Sequence, residues 1–132
     1  MSPVSNAIAQ SLQQEGPTKD EWKVVNFQKE GFTIILGRNS FTNERIVAEH
    51  PHRECLWMHA MAAVGSHLIL CVHDRKTPSD DVIQYACALA LKFSKSEART
   101  VSVSVLRDVF KPDNAGVGIW KTKRPILVEV TE

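Results

Sequence analysis

At 132 residues, with 43% hydrophobic and 23% charged residues, the chain has the composition of one ordinary globular domain, long enough to bury a single core. A net charge of +1 excludes attachment to nucleic acid by bulk positive charge, so any basic surface has to be local. No apolar run approaches the ~20 residues of a membrane span, so no membrane partner is expected.

Residues 1–20, rich in Ser, Gln and Pro, read as a flexible N-terminal tail, and residues 21–132 as the single folded domain. The tail has no basic start followed by an apolar core, and its one basic residue, Lys19, makes a poor organellar presequence. The three cysteines, Cys55, Cys71 and Cys87, are an odd number and lie in apolar segments. They read as reduced, buried thiols of a cytoplasmic protein.

Trp22–Gln28 and Phe32–Leu36 are predicted strands joined by the turn Lys29-Glu30-Gly31. Gly37-Arg38-Asn39-Ser40 breaks the second strand. Residues 41–50, FTNERIVAEH, then read as a short helix, with Asn39 or Ser40 as its N-cap and Pro51 just past its end. Leu56–Met61 and Leu68–Val72 are two short apolar runs that read as the central strands. Alternation puts Cys55, Trp57 and His59 on one face of the first and Leu56 and Met58 on the other. In the second, Leu68, Leu70 and Val72 share a face, opposite His67, Ile69, Cys71 and His73. The aliphatic side is the expected core, and the Trp/His/Cys side is neither plain core nor plain solvent.

Asp74–Ser79 is a polar loop that opens the one long helix. Thr77 is the expected N-cap, Pro78 the first helical residue, and Asp80 and Asp81 complement the helix dipole. From Val82 to Lys95 the apolar residues Val82, Ala86, Leu89, Ala90 and Phe93 recur at helical spacing. Val101–Val105 alternates valine and serine and is predicted as a strand with one buried face. Residues 107–114 read as a loop, and Val117–Trp120 and Ile126–Val130 as strands joined by the basic turn at residues 121–125. Six or seven strands with one long and one short helix, not alternating as β-α-β-α, define an α+β fold. The expectation is a mainly antiparallel sheet with the long helix packed on one face.

Ser66 and His67 are neighbours on a strand and point to opposite faces, so they cannot form a Ser-His pair. Cys55, His59, His67, Cys71 and His73 are metal-ligand types, but Cys55 and His59 lie about 13 Å apart along one strand. A site would need residues of both strands to meet at one point. There is no phosphate-binding glycine motif. The expectation is therefore a protein without catalytic residues, metal or cofactor. Trp57, His59, His67, Ser102 and Ser104, with cations at the rim, would make a platform for unpaired bases, although Trp57 taken singly reads more readily as core.

Four blocks in order, GRNSFTNERIV, LWMHAMAAVGSHLIL, YACALALKFSKSEAR and VSVSVLRDVFKPDNAGVGIW, resemble the NFACT-R domain over about Phe32 to Val130. The centre of the resemblance is Trp57-x-His59 followed by Gly65-Ser66-His67. Gly37-Arg38-Asn39 matches the family's G-[KR]-[ND], and Arg107 with Lys111 matches its basic pair. Cys55 stands where an acidic residue is usual, and Met61-Ala62-Ala63-Val64 where K-D-x-P is usual. The resemblance implies an RNA-binding module linked to translation and ribosome-associated quality control, with tRNA or ribosomal RNA as partner and the large ribosomal subunit as its setting. Its binding residues would be Arg38, Trp57, His59, Ser66, His67, Ser104, Arg107 and Lys111. The alternative is a protein-interaction module of ribosome-associated factors without direct RNA contact.

Overall fold

The computed structural model describes residues 24–61, 65–72, 77–95 and 97–131. Strands β1 (Val24–Lys29), β2 (Phe32–Gly37), β3 (Leu56–Ala60), β4 (His67–Cys71) and β5 (Thr100–Val105) are joined by helix α1 (Ser40–Glu49) after β2 and helix α2 (Asp80–Ser94) after β4. A 3-10 turn at Leu106–Asp108 leads to β6 (Val109–Phe110), β7 (Lys121–Thr122) and β8 (Ile126–Glu129). Six strands form one antiparallel sheet in the order β1-β2-β4-β3-β5-β8, and β6 and β7 pair separately. This is the α+β architecture expected. The tail at residues 1–20, Trp22 and His73 lie outside the described residues.

Local chemistry sets the helix ends. Asn39 caps α1: its side chain accepts from the Thr42 N–H, and the Thr42 hydroxyl takes the Asn39 N–H in return. The helix stops at His50, whose extended backbone is the conformation a following proline imposes. The cap of α2 is Ser79, whose Oγ accepts from Val82 N–H at 3.3 Å, not Thr77, so Pro78 precedes the helix instead of opening it. Thr77 and Ser79 are both competent caps by residue type. With Ser79 as the cap, Asp80 and Asp81 stand in the first turn, where their charges meet the helix's positive end. Lys95 ends α2 in the left-handed region, and its N–H bonds the Leu91 and Lys92 carbonyls.

One face of the sheet packs on α2 as its alternation dictates. Leu68, Leu70, Val101, Val103, Ile34 and Met58 are buried against Ala86, Cys87, Leu89 and Ala90, with Phe93 partly buried beside them. Val105 is half-buried at the end of its strand. The opposite face is also covered: Ile35, Ile69, Cys55, Cys71 and Trp57 form a second core with Ile46 and Val47 of α1 and with Leu106 and Val109. The open platform expected from alternation is therefore closed. A strand face carrying Trp, Ile and Cys reads equally well as platform or core until its cover is known, and α1 with the chain after β5 supplies that cover.

Residues 117–120 are not a strand. The pairing falls on β6 and β7, placing Lys121 and Thr122 in a ladder where a turn was expected. Apolar residues at 117–120 mimic a strand, but Gly118 at φ +81° bends the backbone.

Val103 is 6% exposed in the first core. Val103→Asp is expected to abolish the cooperative thermal transition, because a buried unpaired carboxylate costs several kcal/mol. A circular-dichroism melt of the variant checks this.

Candidate nucleic-acid interface

Five segments converge at one end of the sheet: the exit of β2, the start of α1, the β3–β4 ends carrying His59 and residues 65–67, the end of α2, and residues 117–120. Asn43 holds them together. Buried in α1, it donates from Nδ2 to the Gly65 carbonyl at 3.0 Å and accepts the His67 N–H on Oδ1 at 3.0 Å. This satisfies backbone groups at the start of β4 that the sheet leaves unpaired. Ser66 is tied to α2 through its N–H to Ser94 Oγ at 3.1 Å. A Cβ on Gly65 would stand 2.5 Å from the Ser94 Cβ, so only glycine allows this approach.

Behind the wall, the buried Trp57 donates its indole N–H to His67 Nδ1 at 2.9 Å. His67 therefore carries its proton on Nε2. Burial first, then the neighbouring His59, push the His67 pKa down to about 3, against the raising effect of the nearby Gly118 backbone. His59 lies opposite His67 in the ladder, stacks on Trp57 at an interplanar angle of 12°, and is also lowered by burial. Both rings are thus neutral at pH 7 and contribute planar surface instead of charge.

The loop after β6 is held down by a clasp. The Lys111 ammonium donates to Glu44 Oε1 at 2.6 Å and to the Gly116 carbonyl at 2.7 Å, and sits 4.8 Å from the centre of the Trp120 ring. Glu44 Oε1 also accepts the Gly118 N–H at 2.8 Å. Gly118 passes so close to α1 that a Cβ would meet the Ser40 carbonyl oxygen at 2.7 Å.

Between loop and sheet is a cleft of about 430 Å³. Among the described residues no carboxylate lines it, whereas the exposed Arg38 and Lys95 do, and Arg38 lies over the Phe93 ring at 5.2 Å. The first turn of α1 points its positive end into the same space. In the wall, the indole N–H of Trp120 is buried, with no hydrogen-bond partner among the described residues. The arrangement offers positive potential and planar faces to an anionic, planar ligand.

Of the residues expected to bind, the structure brings Arg38, His59, Ser66 and His67 to this cleft, with Trp57 directly behind. Ser104 is buried on β5, bonded to Thr122. Lys111 is committed to the clasp. Arg107 is exposed at the other end of β3, where its N–H bonds the Arg53 carbonyl beside Cys55. Asn43, Phe93, Lys95 and Trp120 were not singled out as binding residues in the sequence. Lys95 appeared there only as the end of the predicted helix. Among the described residues, His50, Cys55 and Cys71 also converge; strand spacing had set Cys55 apart from His59 and left a site only where residues of both strands meet.

A single antiparallel sheet with helices on both faces and a cation-rimmed cleft at its end defines a small binding module. The family model "NFACT protein RNA binding domain" matches residues 22–114. The chain belongs to this family. It is 31% identical over 109 residues to the "Rqc2 homolog RqcH" of Streptococcus suis, covering 78% of this chain and 19% of that protein. It is also 31% identical over 91 residues to the protein of that name from Bacillus subtilis, covering 67% of this chain and 15% of that one. The chain thus matches less than a fifth of the length of these relatives. A structure described as the C-terminal part of the fibronectin/fibrinogen-binding protein from Streptococcus suis superposes with a TM-score of 0.72 at 22% identity. It covers 96% of this chain and 54% of that one, and shows the shared fold.

The His67 shift has a definite sign. Between the ordinary histidine pKa of about 6.5 and the folded value of about 3, the unfolded chain binds a proton that the folded one does not. Stability from this group is complete above pH 6.5 and falls as pH drops towards 3. His67→Asn keeps an acceptor for Trp57 but does not titrate. Its melting temperature is expected to fall less than wild type between pH 7 and pH 4, as read by parallel melts.

Asn43→Ala leaves the Gly65 carbonyl and the His67 N–H without their partner. It is expected to cost roughly 2–4 kcal/mol, measurable by urea unfolding.

Proposed function

We propose that this chain is a non-enzymatic RNA-binding module that seats one unpaired nucleotide of a structured RNA in the cleft at the end of its sheet. The observation that carries the reading is the cleft's lining: among the described residues it has two cations, a helix N-terminus and planar rings, with no opposing carboxylate. Its volume lies within the range of about 300–1,000 Å³ usual for small-ligand sites. The phosphate would lie between Arg38, Lys95 and the first turn of α1, and the base would meet His59 and the 117–120 loop. With only two cations and neutral histidines, the phosphate contribution is small, and affinity is expected in the micromolar range or weaker. Family membership supports RNA as the nucleic acid. The RqcH relatives support a place in ribosome-associated quality control, with tRNA or large-subunit ribosomal RNA as the partner, in the cytoplasm.

A second reading, docking of a partner protein, is favoured by one observation. Edge strand β8 exposes Ile126 at 67% and Leu127 at 58%.

The test is titration of the protein with a mixed RNA pool at several salt concentrations. Arg38→Ala/Lys95→Ala is expected to weaken binding about tenfold for all sequences alike and to flatten the salt slope by about one to two. Arg107→Ala, at the far end of the sheet, is expected to change binding less than twofold. Equal affinity of wild type and the cleft double variant would remove the cleft as the site. Absence of salt-dependent binding would move the weight to β8.

A further inference from the structure

At the end of β3 away from the cleft, His50, Cys55 and Cys71 turn their side chains to one point in the second core. All three are buried, and their donor atoms lie within 4.8 Å of one another. His50 Nε2 is 3.5 Å from Cys71 Sγ. We propose that these three side chains bind a zinc-type divalent cation, with His52 turning in as the fourth ligand.

The backbone makes the meeting of the two thiols rigid. The β3–β4 register pairs Leu56 with Leu70, so the next pair outward is Cys55 with Cys71. The Cys55 carbonyl accepts the Leu106 N–H, so its hydrogen-bonding edge faces β5. Towards β4 it is therefore a non-hydrogen-bonded position, where opposed side chains approach most closely. His50 is the C-cap of α1, and the bend before Pro51 points its ring inward, leaving it 1% exposed. Two strands and a helix end thus fix the three donors independently.

The donor chemistry selects the ion. A tetrahedral zinc with Zn–S of about 2.3 Å and Zn–N of about 2.0 Å holds sulfur and nitrogen about 3.5 Å apart. The His50–Cys71 separation already has this value, and the widest pair has to contract by about 1 Å. Two thiolates, one dication and neutral imidazoles sum to zero charge, which suits a site excluded from water. Sulfur and imidazole donors disfavour magnesium and calcium. His52 is half-buried, and its ring stands edge-on to His50 with centroids 6.2 Å apart, near the about 5 Å of two imidazoles on one ion.

Loading has a defined proton balance. His50 Nδ1 accepts the His52 N–H at 3.2 Å, so Nε2 carries the ring proton and faces Cys71. The ion takes Nε2, the ring proton passes to Nδ1, and the two thiols lose theirs. Two protons are released per ion. The His52 N–H contact is given up, which frees that residue to turn its ring to the metal.

The experiment uses the full chain, stripped with chelator under reducing conditions and titrated with cobalt(II) as the spectroscopic stand-in for zinc. The expected result is saturation at one cobalt per chain. It should show a near-ultraviolet thiolate-to-metal band, tetrahedral visible bands, release of two protons and displacement by zinc. Cys55→Ser and Cys71→Ser should each abolish the thiolate band, and Cys87→Ser should retain it. His52→Ala should keep the band and weaken binding by tenfold or more. A folded wild-type protein that shows no thiolate band at tenfold excess cobalt overturns the proposal, whatever the variants do. So does a band that survives in folded Cys55→Ser. Loss of two hydrogen masses under peroxide, with no cobalt band beforehand, would identify a Cys55–Cys71 disulfide pair instead and equally overturn it.

Discussion

The structure depends on the hydrogen bond from the Trp57 indole to His67 Nδ1. Both residues point to the sheet face that α1 and the loop after β5 cover, so both polar groups are removed from water. A buried indole N–H and a buried imidazole are each costly alone, and together they satisfy one another. Because Nδ1 is the acceptor, Nε2 has to carry the ring proton. One side-chain bond in the core thereby dictates the tautomer of His67.

The same loop is pinned by Glu44, which accepts from both Lys111 and the Gly118 N–H. Half-buried and matched by several donors, this pair is better placed to contribute than an exposed ion pair. Its consequence is geometric: the loop is held off the sheet by the width of a cleft instead of collapsing onto it. Lys111 spends its charge inside this clasp, leaving Arg38 and Lys95 as the cations at the mouth.

The central strands β3 and β4 thus present different chemistry at their two ends. At the His59 end, neutral rings and backbone groups face a cation-rimmed opening. At the Cys55 end, two thiols and an imidazole face one another in the dry core. The ends are four residues apart along β3, about 13 Å, and share the second core between them. Between the two ends lie Trp57 and Ile69, both buried in that core.

The sequence by itself determined the periodic elements: the hairpin, the two central strands, the capped helix α1, the amphipathic helix α2 and the valine–serine strand. In each of these, alternation or helical spacing is a property of neighbouring residues, which is why the α2-covered core was legible down to Leu68, Leu70 and Val103. Gly65, Ser66 and His67 were visible as a motif, and Arg38 and His59 as candidates beside it. Only the tertiary structure decided what covers the second face, because burial of Trp57 depends on α1 and on the loop after β5 folding back over it. It alone separated Lys111 from Arg38 as cations, since the difference lies in Glu44, 67 residues away in the chain. It alone brought His50 to Cys55 and Cys71. A strand's spacing keeps residues four apart from meeting, but antiparallel pairing brings residues of neighbouring strands face to face.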